Sequence, residues 1–329
     1  MLPKVMLSLL LLLVSSASAF AQEIRHFTFH YGFTIKAVSA GSPVRVWIPA
    51  ANSDPFQEVK VISASGDLPL KKTRESRFGN EIYFAQASKA DKPELHFAIS
   101  YDVVRHQRLT LGAAGPRLAE VTLKEKERKQ YLGPDKLVPI TGIPADLAVK
   151  VTTGKDTPLE KARAIYDYVF DNMKYDKTGT GWGRGDVLYA CDAKKGNCTD
   201  FHSLFIAMAR SQSIPSRFEI GFSVPPEKRA GEIAGYHCWT EFFEPGHGWV
   251  PIDISEAWKH PEKKDFFFGG HDANRVQFSM GRDIVLNPKQ DGAPLNYFVY
   301  PYVEVGGKEY LNVWLAFSFA EGGPTVALY

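Results

Sequence analysis

The sequence predicts an α+β fold, with a helical middle flanked by two β-rich stretches. Three observations predict it. Phe27, Phe29, Tyr31, Phe33 and Ile35 alternate with other residues, as do Val44, Val46 and Ile48, and later Leu95, Phe97, Ile99, Tyr101 and Val103. In the middle, Leu159, Ala162, Ile165, Tyr166, Val169, Phe170 and Met173 recur at three and four. Beyond about residue 271, strand-like runs return in "VQFSM", "DIVL", "FVYPYVEV" and "NVWLAFSF". Period two lines one face of a strand, and three-four spacing lines one face of a helix, so the patterns separate the regions.

The chain opens with "MLPKVMLSLLLLLVSSASAF", in which Lys4 is the only charged side chain and residues 5–14 are apolar. Ala19-Phe20-Ala21 then fits a leader-cleavage pattern. Residues 1–21 are therefore expected to be a signal peptide, removed before Gln22. The apolar run is short for a membrane span, and no later segment is apolar enough to be one. The expected mature protein is exported, periplasmic or secreted. Lys and Arg total 39 against 37 Asp and Glu, a formal charge of +2. Without basic clustering on one face, the sequence carries no nucleic-acid footprint.

Residues 22–110 read as an N-terminal β-sandwich-like domain, with turns at "SAGSP", "SASGD", "FGN" and "KADKP". Residues 111–154 contain Pro116, Pro134, Pro139 and Pro144 and read as a connector. The mixed-sign run "LKEKERK" (residues 123–129) reads as a solvated face within it. A helix then starts at a capping box, with Thr157, Pro158 at the first helical position and Glu160. "TGTGWGRGD" (residues 178–186) lacks the spacing of a phosphate loop. It is either a surface loop or a cleft-lining loop that presents Trp182. Residues 155–270 form the candidate catalytic domain. Residues 271–329 form a C-terminal β region expected to pack on one of the earlier units.

The chemistry centres on "KKGNCTDFHSLFIAMARSQSIPSRFEIGF". Asn197 is a good N-cap, which puts Cys198 in the first turn of a helix. Free N–H groups and the helix dipole favour a thiolate there, and the same N–H groups suit a developing oxyanion. A nucleophilic thiol also needs a base, and the base an orienting carboxylate. "YHCWTEFFEPGHGWVPIDISEAW" reads as a hairpin. With its turn centred on Pro245, His237 faces Asp253, because opposed residue numbers then sum to about 490. The set is Cys198, His237 and Asp253.

"GNCTDFHSLFIAMARSQSIPSRFEIGF", "GYHCWTEFF" and "GWVPIDIS" resemble the three blocks of the bacterial transglutaminase-like superfamily. The resemblance covers residues 157–254. It implies a papain-like core in which the cysteine helix packs on an antiparallel sheet. It also implies roles for Cys198 as nucleophile, His237 as base and Asp253 as its orienting group, with Trp239 in the H-x-W strand. Ser213 and Ile254 depart from the family's common glycine and proline. The implied reaction is thiol acyl transfer on peptide or protein amides, ending on water or on an amine, with no cofactor. Trp182 and Trp239 are candidates for the oxyanion site or the substrate cleft.

Other readings stay open. Three cysteines allow one internal disulfide, Cys191 with Cys238, which would leave Cys198 free. Cys198 and His202, at i and i+4, could hold zinc, although no paired zinc motif is present. Asp200 and Glu241 are either groups supporting the site or solvated charges. His247 is expected to be exposed in the hairpin turn. Finally, the chain could be an inactive β-rich envelope scaffold.

Overall fold

The computed structural model describes residues 23–111 and 121–322; the expected leader, residues 1–21, lies outside them. Two five-stranded antiparallel sheets build the first unit. One has the order β11-β18-β1-β6-β3. Its strands are β1 (Ile24–Ile35), β3 (Gln57–Gly66), β6 (Leu95–His106), β11 (Ala230–Glu232) and β18 (Val313–Glu321). The other has the order β17-β16-β2-β5-β4. Its strands are β2 (Val44–Ala50), β4 (Lys71–Arg74), β5 (Glu81–Ala87), β16 (Tyr302–Val305) and β17 (Lys308–Glu309). The alternating residues of β1 and β6 are the buried ones, from Phe27 to Ile35 and from Leu95 to Val103.

The end of the chain completes both of these sheets. Phe317 pairs with Tyr31, and Tyr302 pairs with Trp47. Such pairing satisfies backbone groups that β1 and β2 would otherwise leave open. "DIVL" makes no strand. It contributes one bridge, Ile284 with Leu295, and packs Ile284 and Leu286 on Trp47, Ile82 and Phe84 in a second apolar cluster. "VQFSM" does become a strand, but in a different sheet from its neighbours.

That sheet has the order β13-β12-β10-β15. Its members are β10 (Ser216–Ser223), β12 (His237–Glu244), β13 (Gly248–Ile252) and β15 (Arg275–Met280). Of two short pairs, β7 (Arg108–Leu109) with β14 (Gly270–His271) lies beside β13, and β8 (Lys174–Tyr175) with β9 (Lys195–Gly196) is a separate parallel pair. Phe222 of β10 and Phe278 of β15 enter the aromatic core of the first unit. Phe222 lies 5.1 Å from Phe29 and 4.6 Å from Phe317, and Phe278 lies 5.4 Å from Tyr31, between ring centroids. One core thus joins the units and fixes the four-stranded sheet on the sandwich.

Helices pack around this sheet, with α5 against β10 and β12. They are α1 (Glu125–Leu132), α2 (Ile143–Val151), α3 (Pro158–Asn172), α4 (Val187–Ala193), α5 (Cys198–Ser211) and α6 (Ile254–Lys259). Two of them, α1 and α2, occupy the stretch that composition marks as a connector. Its prolines do not forbid this: Pro144 stands in the first turn of α2, where a missing N–H is harmless. The Thr157–Glu160 box caps α3 as its sequence predicts. Residues 198–210 of α5 are all buried, because the helix lies between the sheet and its neighbouring helices. No helix among the described residues is long and apolar enough to cross a membrane.

Candidate active site

Cys198 opens α5 and is 2% exposed. The Asn197 side chain caps the helix by accepting from the Thr199 N–H at 2.9 Å. The carboxylate of Asp200 anchors the approach. It accepts from the N–H groups of Gly183 at 2.7 Å, Gly185 at 3.0 Å and Asn197 at 2.9 Å. Gly183 and Gly185 have φ of 82° and 60°, which turns the glycine-rich loop inward onto this carboxylate. Asp200 is therefore a buried clamp between that loop and the cysteine helix.

His237 begins β12 and is 4% exposed. Its Nε2 meets Asp253 Oδ2 at 2.7 Å, which leaves Nδ1 for the hydrogen bond with Cys198. Asp253 is not opposite His237 in the hairpin. The turn closes on Gly248, at φ 74°, so Glu244 pairs with Gly248 and Thr240 with Ile252. Opposed numbers therefore sum to 492, and Asp253 lies one residue beyond β13 as the N-cap of α6. There Oδ1 accepts from the Glu256 N–H at 3.0 Å and the Ser255 hydroxyl at 3.1 Å. Oδ2 also accepts from Arg275 at 3.0 Å. Arg275, the first residue of β15, is invisible to motif reasoning because the strand's alternation concerns only its apolar members.

The electrostatics follow from burial and pairing. Burial would raise the Asp253 carboxyl, but His237 and Arg275 hold it well below the carboxylate range. Burial would lower the His237 imidazole, but Asp253 outweighs it and raises the group to about 10. Burial would also raise the Cys198 thiol, yet hydrogen bonds with Cys238 and His237, and the His237 charge, hold it well below its ordinary value. The arrangement favours a thiolate–imidazolium pair.

The remaining sequence candidates fall as follows. Trp182 spends its indole N–H on Gly179 O at 3.1 Å, within its own loop. Trp239 is buried, with its ring 5.9 Å from that of His237, and donates to Glu219 at 2.6 Å. Neither N–H points to Cys198. All three cysteines are free thiols. Cys238 is beside the cysteine helix, 3.7 Å from Thr199 Oγ1 and from His202 Nδ1. His202 accepts from the Ile254 N–H at 3.0 Å through Nε2, and burial lowers its pKa to about 4. Among the described residues, no group of three or more His, Cys, Asp or Glu is placed to hold a metal ion. Glu241 is buried between Arg108 and Arg217. His247 is half-buried in its turn.

Residues 145–254 match the sequence profile of the transglutaminase-like superfamily. This segment is a transglutaminase-like core. It includes α2, so the core begins ahead of the capping box at Thr157. An uncharacterised protein of Haemophilus influenzae is 29% identical over 323 residues, covering 87% of this chain and 86% of its own. Uncharacterised protein YebA of Bacillus subtilis is 28% identical over 129 residues, 35% of this chain and 18% of that protein. The crystal structure of a candidate cysteine protease from Cytophaga hutchinsonii aligns over 93% of this chain and 94% of its own, with a TM-score of 0.59 and 16% identity. At that identity the likeness is one of fold, and it extends across the sandwich as well as the transglutaminase-like core.

Proposed function

We propose that the protein is an exported cysteine enzyme that transfers acyl groups from peptide or protein amides. The observation that carries this reading is the buried His237–Asp253 hydrogen bond beside Cys198, which opens a buried helix and whose thiol pKa is lowered by His237. Export rests on the leader-like residues 1–21.

In the proposed reaction the Cys198 thiolate attacks an amide carbonyl, and the Cys198 N–H at the helix start donates to the oxyanion. His237 gives its proton to the departing amine as the C–N bond breaks, leaving a thioester on Cys198. Water or a second amine then attacks the thioester, His237 takes the proton of the attacking group, and the C–S bond breaks to release the Cys198 thiolate, restoring the starting ion pair. Asp253 holds the imidazole in its orientation and stabilises its charge.

The test is to mix the protein with peptides bearing glutamine or a scissile amide and to look for a covalent adduct by intact mass. An adduct on Cys198, absent in Cys198→Ala and released by water or by an added amine, is expected. Which acceptor releases it separates a hydrolase from a cross-linking enzyme. Rapid iodoacetamide labelling of Cys198 that slows in His237→Ala is the accompanying expectation. Equally slow labelling of both forms, with no adduct, overturns the reading.

A further inference from the structure

The face of the four-stranded sheet turned away from α5 carries a buried charged layer. Phe242 and Cys238 face the helix, through contacts with Phe205 and His202. Alternation puts Glu241, with its cross-strand partner Arg217, on the opposite face, along with Glu219. That face forms one wall of a cavity of about 930 Å³, and the loops after β2 and β4, the end of β6 and residues 121–127 form the other. No residue of the Cys198 site lines it.

Most charges in the wall are paired. Glu241 accepts from Arg108 and from Arg217, the latter through Nε at 2.6 Å. Glu219 accepts from Trp239 and lies 3.3 Å from Arg217. Arg105 is different. It is 3% exposed, donates to Gln57 at 3.2 Å and lies 3.8 Å from Asp54, yet its Nε has no partner among the described residues. Burial lowers this guanidinium to about 10, and Asp54 opposes the shift only in part while Arg275 adds to it. His247 Nδ1, in the same wall, is also buried without a partner among the described residues. Phe56, Phe78, Phe243 and Trp249 supply apolar surface around these groups.

A buried guanidinium N–H without an acceptor is costly unless an anion completes the group's hydrogen bonding. The cavity has the volume and the mix of apolar wall and few polar groups of a small-molecule site. Asp54, Glu219 and Glu241 in the wall would repel a doubly charged group, so a single negative charge fits best. We infer that this cavity binds a carboxylate at the end of an apolar body, with Arg105 and His247 holding the carboxylate. The same chemistry is offered by a free acid and by the C-terminus of a peptide. The inference does not rest on the reading of Cys198.

Calorimetric titration of the full chain at neutral pH tests it. The probes are 3-phenylpropionate, acetyl-Ala-Phe with a free C-terminus, the amides of both, and inorganic phosphate. Binding of either acid, with its amide at least about tenfold weaker, is expected, and the acid that binds tells the source. Equal binding of acid and amide, binding of phosphate in place of the acids, or no binding of either acid up to about 10 mM overturns the inference. Arg105→Gln is expected to weaken the acid about tenfold or more. Because removing a buried arginine can unfold the chain, His247→Ala in the hairpin turn is the second variant. It is expected to weaken the acid with an unchanged circular dichroism spectrum, and undiminished affinity in it overturns the assignment.

Discussion

His237 Nε2 and Asp253 Oδ2 lie 2.7 Å apart although the two residues are not cross-strand partners. The strand fixes the histidine, and the start of α6 fixes the aspartate. Asp253 accepts on both oxygens at once, from a helix N–H, a serine hydroxyl, an imidazole and a guanidinium. A carboxylate held from four directions cannot rotate away from its histidine. That constraint is what an orienting group requires.

Asp253→Asn keeps the shape and removes the charge. His237 then loses the interaction that raises its pKa, and the Cys198 thiolate loses its imidazolium partner. Iodoacetamide labelling of Cys198 at neutral pH is expected to slow by an order of magnitude or more. The variant also leaves Arg275 short of a buried anion, so urea denaturation is expected to show a loss of about 3–5 kcal/mol. Labelling at the wild-type rate would contradict the orienting role.

The pH dependence has a definite sign. His237 is raised to about 10, so its contribution to stability is complete below its ordinary value near 6.5 and is lost as pH rises through about 10. Asp253 is lowered, so its contribution is present above its ordinary value of about 4 and is lost as pH falls through the folded value. Across neutral pH both partners are in place. Wild-type labelling should therefore be flat between about pH 6 and 8, whereas His237→Ala should rise about tenfold per unit toward the ordinary thiol range near 8.5. A tenfold-per-unit rise in the wild type would mean that no thiolate–imidazolium pair exists.

Particular residues show what the sequence could reveal. The alternation of Phe27 to Ile35 and of Leu95 to Val103 is legible because these strands bury one face. Strand β3 lies at a sheet edge and is exposed along most of its length, so no pattern marks it. The Thr157 and Asn197 caps are legible because capping is local chemistry. The partnership of Arg275 with Asp253, and of Asp200 with the loop before it, depends on how distant segments pack. The hairpin register depended on a single glycine: Gly248, at positive φ, moves the turn centre by one residue and shifts every pair by two.

Arg275 acts on the site through Asp253, so its removal should have a distinctive signature. It bridges Asp253 at 3.0 Å and Asp272 at 3.3 Å, with its guanidinium 4.9 Å from the Trp239 ring centroid. Arg275→Met removes one of the basic groups that lower Asp253. The acid limb of the labelling profile is expected to move to higher pH while the neutral plateau persists, with a stability loss of about 3–5 kcal/mol. Arg275→Lys should recover part of the acid limb, since an ammonium restores charge but not the planar fork. A lower plateau with an unmoved acid limb would show a purely structural role.

The Asp200 clamp leaves no room beside it. A Cβ on Gly196 would lie 2.1 Å from Asp200 Oδ2 and 2.6 Å from its Cβ. Gly196→Ala must therefore displace the carboxylate that holds the N–H groups of Gly183, Gly185 and Asn197. A cost of about 1–3 kcal/mol is expected from overpacking. Asp200→Ala should cost about 3 kcal/mol or more, because it orphans three buried donors without a clash. In both variants amide hydrogen exchange should accelerate at residues 183 and 185 while residues 165–170 of α3 keep their protection relative to the new global stability. If these amides exchange only in step with the whole chain, the clamp is not a separate element, and the glycine-rich loop is held by its other contacts, such as the Tyr297 hydroxyl on Gly183 O at 3.1 Å.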